Sequence, residues 1–229
     1  MILCLETATN NCSVALCNEN GVVALRESND LRSHATELTV FILEVLRETS
    51  ARTQDLDAVA VSKGPGSYTG LRIGVSVAKG IAFASSVPLI GIDTTLSMFH
   101  GLKNQISHAE DVLFCPVLDA KRMEVYYAIY DSQGNIVKEI SAETISEDSF
   151  GLYQDKTIII FGNGSAKLEP VIRQKNVHFE DNFRMSASNL LSPALQSLQQ
   201  KKFEDVAYFE PFYLKDFIAT KPKKNILGV

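Results

Sequence analysis

A glycine-rich turn is the feature of this sequence with the clearest chemical potential. Residues 63–74 read Lys-Gly-Pro-Gly-Ser-Tyr-Thr-Gly-Leu-Arg-Ile-Gly and follow the apolar run 58–61. Glycine permits positive φ and close backbone approach, and a helix that begins after such a turn presents free N–H groups to an anion. We expect Ser67 or Thr69 to cap that helix. The turn itself is predicted to be structural and to comprise Gly64, Pro65, Gly66 and Gly70.

The spacing of this turn excludes two common phosphate-binding loops. No Gly-Lys-Ser/Thr closes it, as a Walker loop requires, and Gly-x-Gly-x-x-x-Gly is not the dinucleotide fingerprint. The chain also has no Gly-x-Ser-x-Gly elbow and no His-Glu-x-x-His motif. Ser67 is therefore interpreted as a capping residue and not as a nucleophile.

Metal-binding patterns are missing from the sequence as well. The four cysteines form no Cys-x-x-Cys pair, and three of them lie in predicted strands, where cysteine behaves as a small buried hydrophobe. The histidines show no i, i+4 relation; they are His34, His100, His108 and His178. We expect no metal site.

Composition indicates a soluble globular protein. The chain has 229 residues, of which 45% are hydrophobic and 21% charged, and its net charge is −5. This negative net charge argues against tight binding of the chain alone to nucleic acid. The lysine-rich tail from Lys215 to Lys224 is interpreted as a solvated terminus. The sequence shows no signal peptide and no membrane-spanning run, so we expect no membrane association and a cytoplasmic location.

Hydrophobic periodicity predicts two units of similar order. In the first half it predicts three strands within 2–28, a helix from about Ser33 to Ser50, a strand at 58–62, a helix at 71–85, a strand at 89–92 and a helix capped near Asp93 or Thr94. In the second half it predicts strands at 112–118, 124–130, 136–140 and 157–161, then a helix from about 186 to 201.

This repetition predicts two α/β lobes of related topology. We place the N-terminal lobe at residues 1–105 and the C-terminal lobe at 106–229, with the C-terminal segment free to return to the first lobe.

The glycine turn, taken as a string, resembles the TsaB (YeaZ) family, the partner subunit in bacterial biosynthesis of threonylcarbamoyladenosine on tRNA. The resemblance is dense in the N-terminal half and sparse beyond it. Besides the turn, it rests on residues 2–9, 12–16, 87–93, 118–126 and 210–214.

The resemblance implies a two-lobed, actin-like and sugar-kinase-like fold, each lobe a mixed sheet flanked by helices. Enzymes of that fold hold ATP between the lobes with an acid after the first strand, hydroxyls in the next hairpin and a second acid in lobe two. The corresponding residues here are Glu6, Thr7, Thr9, Asp119, Gly162 and Gly164. Glu6 stands where the family usually has Asp, so we expect a relic or a weak nucleotide site.

The catalytic relatives of the family, the TsaD proteins, have a His-x-x-x-His pair on the helix after the corresponding strand. Thr94 and Met98 occupy those two positions in this chain. The resemblance therefore implies a subunit without catalytic activity of its own and without an intrinsic cofactor. ATP or ADP could be held at the interface of the assembled complex.

The implied function is to bind and activate a TsaD-type transferase that modifies position 37 of tRNA. Other implied partners are a TsaE-type ATPase and tRNA, the latter only through the assembled complex. In the absence of partners, the chain is expected to form a homodimer.

Small residues let helices approach closely, and the helices at 33–50 and 71–86 are expected to form the contact. The candidate interface residues are Ala35, Leu43, Gly74, Ala78, Ile81 and Ala82. The alternatives are an independent ATP-binding kinase or ATPase of the same fold, and a metallopeptidase.

Overall fold

Two mixed five-stranded sheets form the framework of the protein. The computed structural model describes residues 1–28, 34–106 and 111–215. The first sheet has the order β3-β2-β1-β4-β5, with β1 antiparallel to β2 and parallel to β4. Its strands are β1 (Ile2–Glu6), β2 (Cys12–Asn18), β3 (Gly21–Ser28), β4 (Ala58–Gly64) and β5 (Leu89–Asp93).

The second sheet repeats this topology, which confirms the predicted two-lobed fold. Its order, β8-β7-β6-β9-β10, matches that of the first sheet strand for strand. The strands are β6 (Val112–Asp119), β7 (Glu124–Tyr130), β8 (Ile136–Thr144), β9 (Thr157–Phe161) and β10 (Val177–Glu180). The sequence analysis missed β10, since four residues are too few for the alternation of apolar and polar side chains to stand out.

The helices make the two lobes unequal. They are α1 (His34–Glu48), α2 (Tyr68–Ser85), α3 (Thr94–Lys103) and α4 (Leu191–Gln199). The first two cover the outer face of the first sheet, where α1 packs on β2 and β3 and α2 packs on β4. Within residues 111–215, the connections that correspond to α1 and α2 contain only the short 3-10 turns Gly151–Tyr153 and Ser165–Lys167. None of the described helices is long and apolar enough to cross a bilayer.

The last helix is shorter than predicted. A 3-10 turn at Ala187–Leu190 precedes α4, and Ser186 caps that turn by accepting from the Ser188 N–H. Pro193 lies in the first turn of α4, the one part of a helix where the missing N–H of proline costs nothing. Ala187, Leu190 and Ala194 are buried among the inner-face residues of the first sheet, so this C-terminal helix packs on the N-terminal sheet.

The segment 203–215, which we call the C-terminal strap, lies beside α2 along the β5 edge of the first sheet. The Glu204 N–H donates to the Leu89 carbonyl over 2.8 Å, and Phe209 is buried above Gly91. A Cβ added to Gly91 would lie 2.8 Å from the Phe209 ring, so the glycine makes room for it. The outer layer of this lobe therefore has three elements side by side: α1, α2 and the strap.

The strap then crosses the glycine turn toward the second sheet. The Phe212 N–H donates to the Lys63 carbonyl over 2.7 Å, and the Tyr213 ring lies 4.8 Å from that of Tyr68. Lys215 forms an ion pair with Glu124 at the start of β7. The strap thus joins the two lobes at their surface.

Candidate functional site

The glycine turn folds tightly against its own chain. Gly64 has a φ of +128°, and a Cβ there would collide with the Phe212 carbonyl of the strap. Gly64 thus needs to be glycine for both its positive φ and the lack of space, whereas Gly66 and Gly70 have no positive φ. These two are needed for close approach, since a Cβ at Gly66 would lie 2.8 Å from the Ala8 Cβ and one at Gly70 would overlap the Thr7 carbonyl.

Two N–H groups at the start of α2 have partners within the chain. The Ser67 N–H donates to the Ala8 carbonyl over 2.7 Å, and the Gly70 N–H donates to the Ser67 hydroxyl over 3.3 Å. Ser67 is thus the N-cap of α2, as predicted. The loop after β1 therefore packs closely against the start of α2.

The acidic residue after the first strand is enclosed. Glu6 is completely buried; its carboxylate accepts from the Ala8 N–H over 2.6 Å and from the Ser62 hydroxyl. Burial raises its pKa to about 7, although these hydrogen bonds oppose the shift. Thr7 is also completely buried against Gly74, and its hydroxyl has no hydrogen-bond partner. Thr9 is buried as well and accepts from the Asn11 N–H over 3.3 Å.

The lobe-two residues of the predicted nucleotide site are engaged in structural contacts. Asp119 is exposed, pairs with Lys167 and accepts from the Lys121 N–H over 2.9 Å. Gly162 has a φ of +111° and lies against the Met98 methyl group, while a Cβ at Gly164 would lie 2.8 Å from Val117. Other parts of the chain therefore occupy the space into which a side chain at either glycine would extend.

The two positions of the histidine pair lie at the start of α3. Thr94 and Met98 are both completely buried, and Met98 packs on Gly162. Of the histidines, His108 lies outside the described residues. Across 1–28, 34–106 and 111–215, no three His, Cys, Asp or Glu residues group in a way that could hold a metal ion.

Three of the six predicted interface residues lie on the buried side of α2, so the prediction is wrong for them. Gly74, Ala78 and Ala82 are buried, and both alanines belong to the core between α2 and the first sheet. They cannot contact a partner, because small side chains here let α2 lie close to its own sheet. Replacing either alanine with arginine would therefore bury an unpaired charge and disrupt the fold.

The opposite face of α2 carries a second set of small residues. Ser76, Gly80 and Ala84 are exposed at a spacing of four residues, and a Cβ added at Gly80 meets no heavy atom within 4 Å. Beside them, Phe83 is 80% exposed, which is unusual for a large aromatic side chain. This outer face, and not the predicted one, is open to another helix.

The neighbouring helix extends the same surface. Ala35 is exposed on α1, Leu43 is 52% exposed and Val40 is 46% exposed. Ile81 of α2 is half-buried and packs against the edge of the core. Ala35, Leu43 and Ile81 therefore remain candidates, and the structure adds Phe83, which the predicted interface did not include.

Comparison with known proteins agrees with this architecture. The family model for TsaD, described as tRNA N6-adenosine threonylcarbamoyltransferase, matches residues 28–227. The Escherichia coli tRNA threonylcarbamoyladenosine biosynthesis protein TsaB is 30% identical, with 96% of each chain covered. The Haemophilus influenzae protein of the same name is 28% identical over 96% of this chain and 95% of its own.

Solved structures show the same fold. YeaZ from Pseudomonas aeruginosa superposes with a TM-score of 0.77 at 24% identity, covering 93% of this chain and 99% of that one. A candidate N-acetylmannosamine kinase from Listeria monocytogenes gives a TM-score of 0.51 at 12% identity, covering 88% and 99%. Similarity to a curated TsaB protein over 96% of each chain, a family model that matches most of the chain and a duplicated sheet topology thus lead to one conclusion: the chain belongs to the TsaB (YeaZ) family.

Proposed function

We propose that this chain is a non-catalytic subunit that binds and activates a TsaD-type transferase, which makes N6-threonylcarbamoyladenosine at position 37 of tRNA. The observation behind the proposal is that α1 and α2 expose apolar side chains, Phe83 and Leu43 most of all. A large exposed apolar patch is typical of a protein–protein contact. The name of the Escherichia coli relative supports the pathway.

The side chains that could act chemically support an activating role over a catalytic one. Glu6 has no exposed surface, and Asp119 is held by Lys167. A general base or a metal ligand must reach the reacting group, and neither carboxylate is both free and exposed. Thr94 and Met98 supply no metal ligands at the positions where the TsaD proteins have histidines.

The proposal includes a specific assembly. Two subunits of one fold can meet through equivalent helix pairs about a pseudo-twofold axis, so the partner and a second copy of this chain would compete for the same face. The chain alone would then form a homodimer. A TsaE-type ATPase and tRNA would join only the assembled complex, with ATP or ADP at its interface, in the cytoplasm.

Reconstitution tests the proposal directly. The purified chain is mixed with a TsaD-type subunit, a TsaE-type ATPase, ATP, a threonylcarbamoyl donor and unmodified tRNA, and the modified nucleoside is measured by mass spectrometry. We expect product only when this chain is present, and a complex of the chain with the TsaD-type subunit on size-exclusion chromatography. Product formed equally well without the chain would refute the activating role.

The alternative is an independent ATP-binding kinase or ATPase of the same fold. It requires an accessible nucleotide site, whereas Glu6 and Thr7 are fully buried and Gly162 is packed against Met98. Calorimetric titration of the isolated chain with ATP and Mg²⁺ separates the two. Binding in the micromolar range, together with phosphoryl transfer or ATP hydrolysis, would favour the alternative.

A further inference from the structure

We infer that the C-terminal strap is the third element of the partner-binding face, with Tyr208 as its anchor and the TsaD-type subunit as its occupant. This inference rests on the proposed function and adds a contact that lies outside the α1–α2 pair. It follows from three observations: the size of the helical face, the chemistry of its two borders and the rigidity of the strap.

The helical face alone is small. Helix α1 has seven exposed residues and α2 has six. A stable, specific interface commonly uses about 20–30 residues on each side. A partner that covers both helices must therefore also cover a neighbouring element on one side or the other.

The two borders of this face differ in chemistry. Beyond α1 lies β3, where Arg26 is paired with two glutamates of α1 and the exposed apolar side chains, Val22 and Val23, are aliphatic. Beyond α2 lies the strap, where Tyr208 is 84% exposed and Phe212 is 40% exposed. Interfaces are enriched in aromatic residues and depleted of charged ones at their centre, so the strap is the favoured side.

The strap is continuous with α2 and held in place. Lys79 donates from Nζ to the carbonyls of Ala207 over 3.2 Å and of Phe209 over 2.8 Å, on either side of Tyr208. Lys79 lies next to Gly80 and one turn before Phe83 on the same helix. Buried Phe209 fixes the strap to the sheet, so Tyr208 projects from a rigid backbone and loses little entropy on binding.

Alanine substitution of single exposed residues tests the inference. The affinity of the full-length chain for the TsaD-type subunit is measured for Tyr208→Ala, for Phe83→Ala on the helical face, and for the matched control Leu152→Ala. Leu152 is 89% exposed on the 3-10 turn Gly151–Tyr153, which follows β8 in the second lobe and belongs neither to the two helices nor to the strap. We expect Tyr208→Ala and Phe83→Ala each to weaken binding by about tenfold or more, and Leu152→Ala to leave it unchanged.

The outcomes separate this inference from the proposed function. If Phe83→Ala weakens binding while Tyr208→Ala behaves like the Leu152 control, the strap inference is overturned and the proposed function stands. If the unaltered chain does not bind the TsaD-type subunit, both the strap inference and the proposed function are refuted. As a second measurement, amide hydrogen exchange should slow within 203–215 when the partner is added. Unchanged exchange there would also count against the strap.

Discussion

The sharpest prediction concerns Gly80, which lies in the middle of α2 on its outer face. A Cβ at this position meets no heavy atom within 4 Å, so Gly80→Ala adds a methyl group without a clash. Alanine is favoured over glycine in a helix interior by about 1 kcal/mol. We therefore expect Gly80→Ala to raise the free energy of unfolding by about 1 kcal/mol, which corresponds to a shift of about 2–4 °C in Tm for a chain of this length.

Gly70→Ala is the matched control on the same helix. Its Cβ would overlap the Thr7 carbonyl, and a backbone atom cannot move aside as a flexible side chain can. Overpacking of this kind costs roughly 1–3 kcal/mol. The two variants introduce the same methyl group into one helix, and we expect them to change stability in opposite directions.

The assay combines unfolding with binding. Urea denaturation and thermal melts report stability, and Gly80→Leu is then titrated with the TsaD-type subunit. Leucine keeps the gain in helix propensity but fills the space that a close helix contact needs, so it should fold well and bind the partner at least tenfold more weakly. If Gly80→Ala destabilises the protein, the assigned orientation of α2 is wrong. If Gly80→Leu binds normally, the helix contact lies elsewhere.

Two further predictions concern charge and self-association. Glu6 has a pKa of about 7 in the folded protein, above the ordinary 4.5. Between these two values the folded protein retains a proton that the unfolded chain releases. The free energy of unfolding should therefore fall as the pH rises from about 4.5 to about 7. Glu6→Gln should flatten this pH profile and raise the free energy of unfolding by up to about 3 kcal/mol at pH 8. Urea denaturation across the pH range measures the effect. An unchanged pH dependence of stability in Glu6→Gln would contradict the assignment. Leu43→Arg places a charge on the exposed face of α1 and should convert a homodimer to monomers in sedimentation experiments without altering the circular dichroism, whereas Leu152→Arg should not. Dimers that persist in Leu43→Arg would show that α1 is not in the contact.

The sequence alone predicted those features that depend on neighbours along the chain. Apolar runs and turn residues predicted nine of the strands in order, because both signals lie within each segment. Ser67 was correctly predicted as a cap, because the capping hydrogen bond spans only three residues. The resemblance to the family, which also rests on local sequence, placed Thr94 and Met98 at the two positions where the TsaD proteins have histidines.

Only the tertiary structure decided which face of α2 is available. Gly74, Ala78 and Ala82 have the same spacing and nearly the same size as Ser76, Gly80 and Ala84, and residues this small give too little hydrophobic contrast to indicate the buried side. The position of α2 over β4, set by the approach of Thr7 and Ala8 to its N-terminus, buries the first set and exposes the second.

The contacts of the strap and the packing around Gly162 could not be predicted from the sequence either. Phe212 contacts Gly64 across roughly 150 residues of intervening chain, and Met98 fills the space beside Gly162 from another element. A glycine turn has the same sequence whether it faces a phosphate or another segment of its own chain. Which of these occupies the space is determined by the packing of distant segments, and no local pattern records that packing.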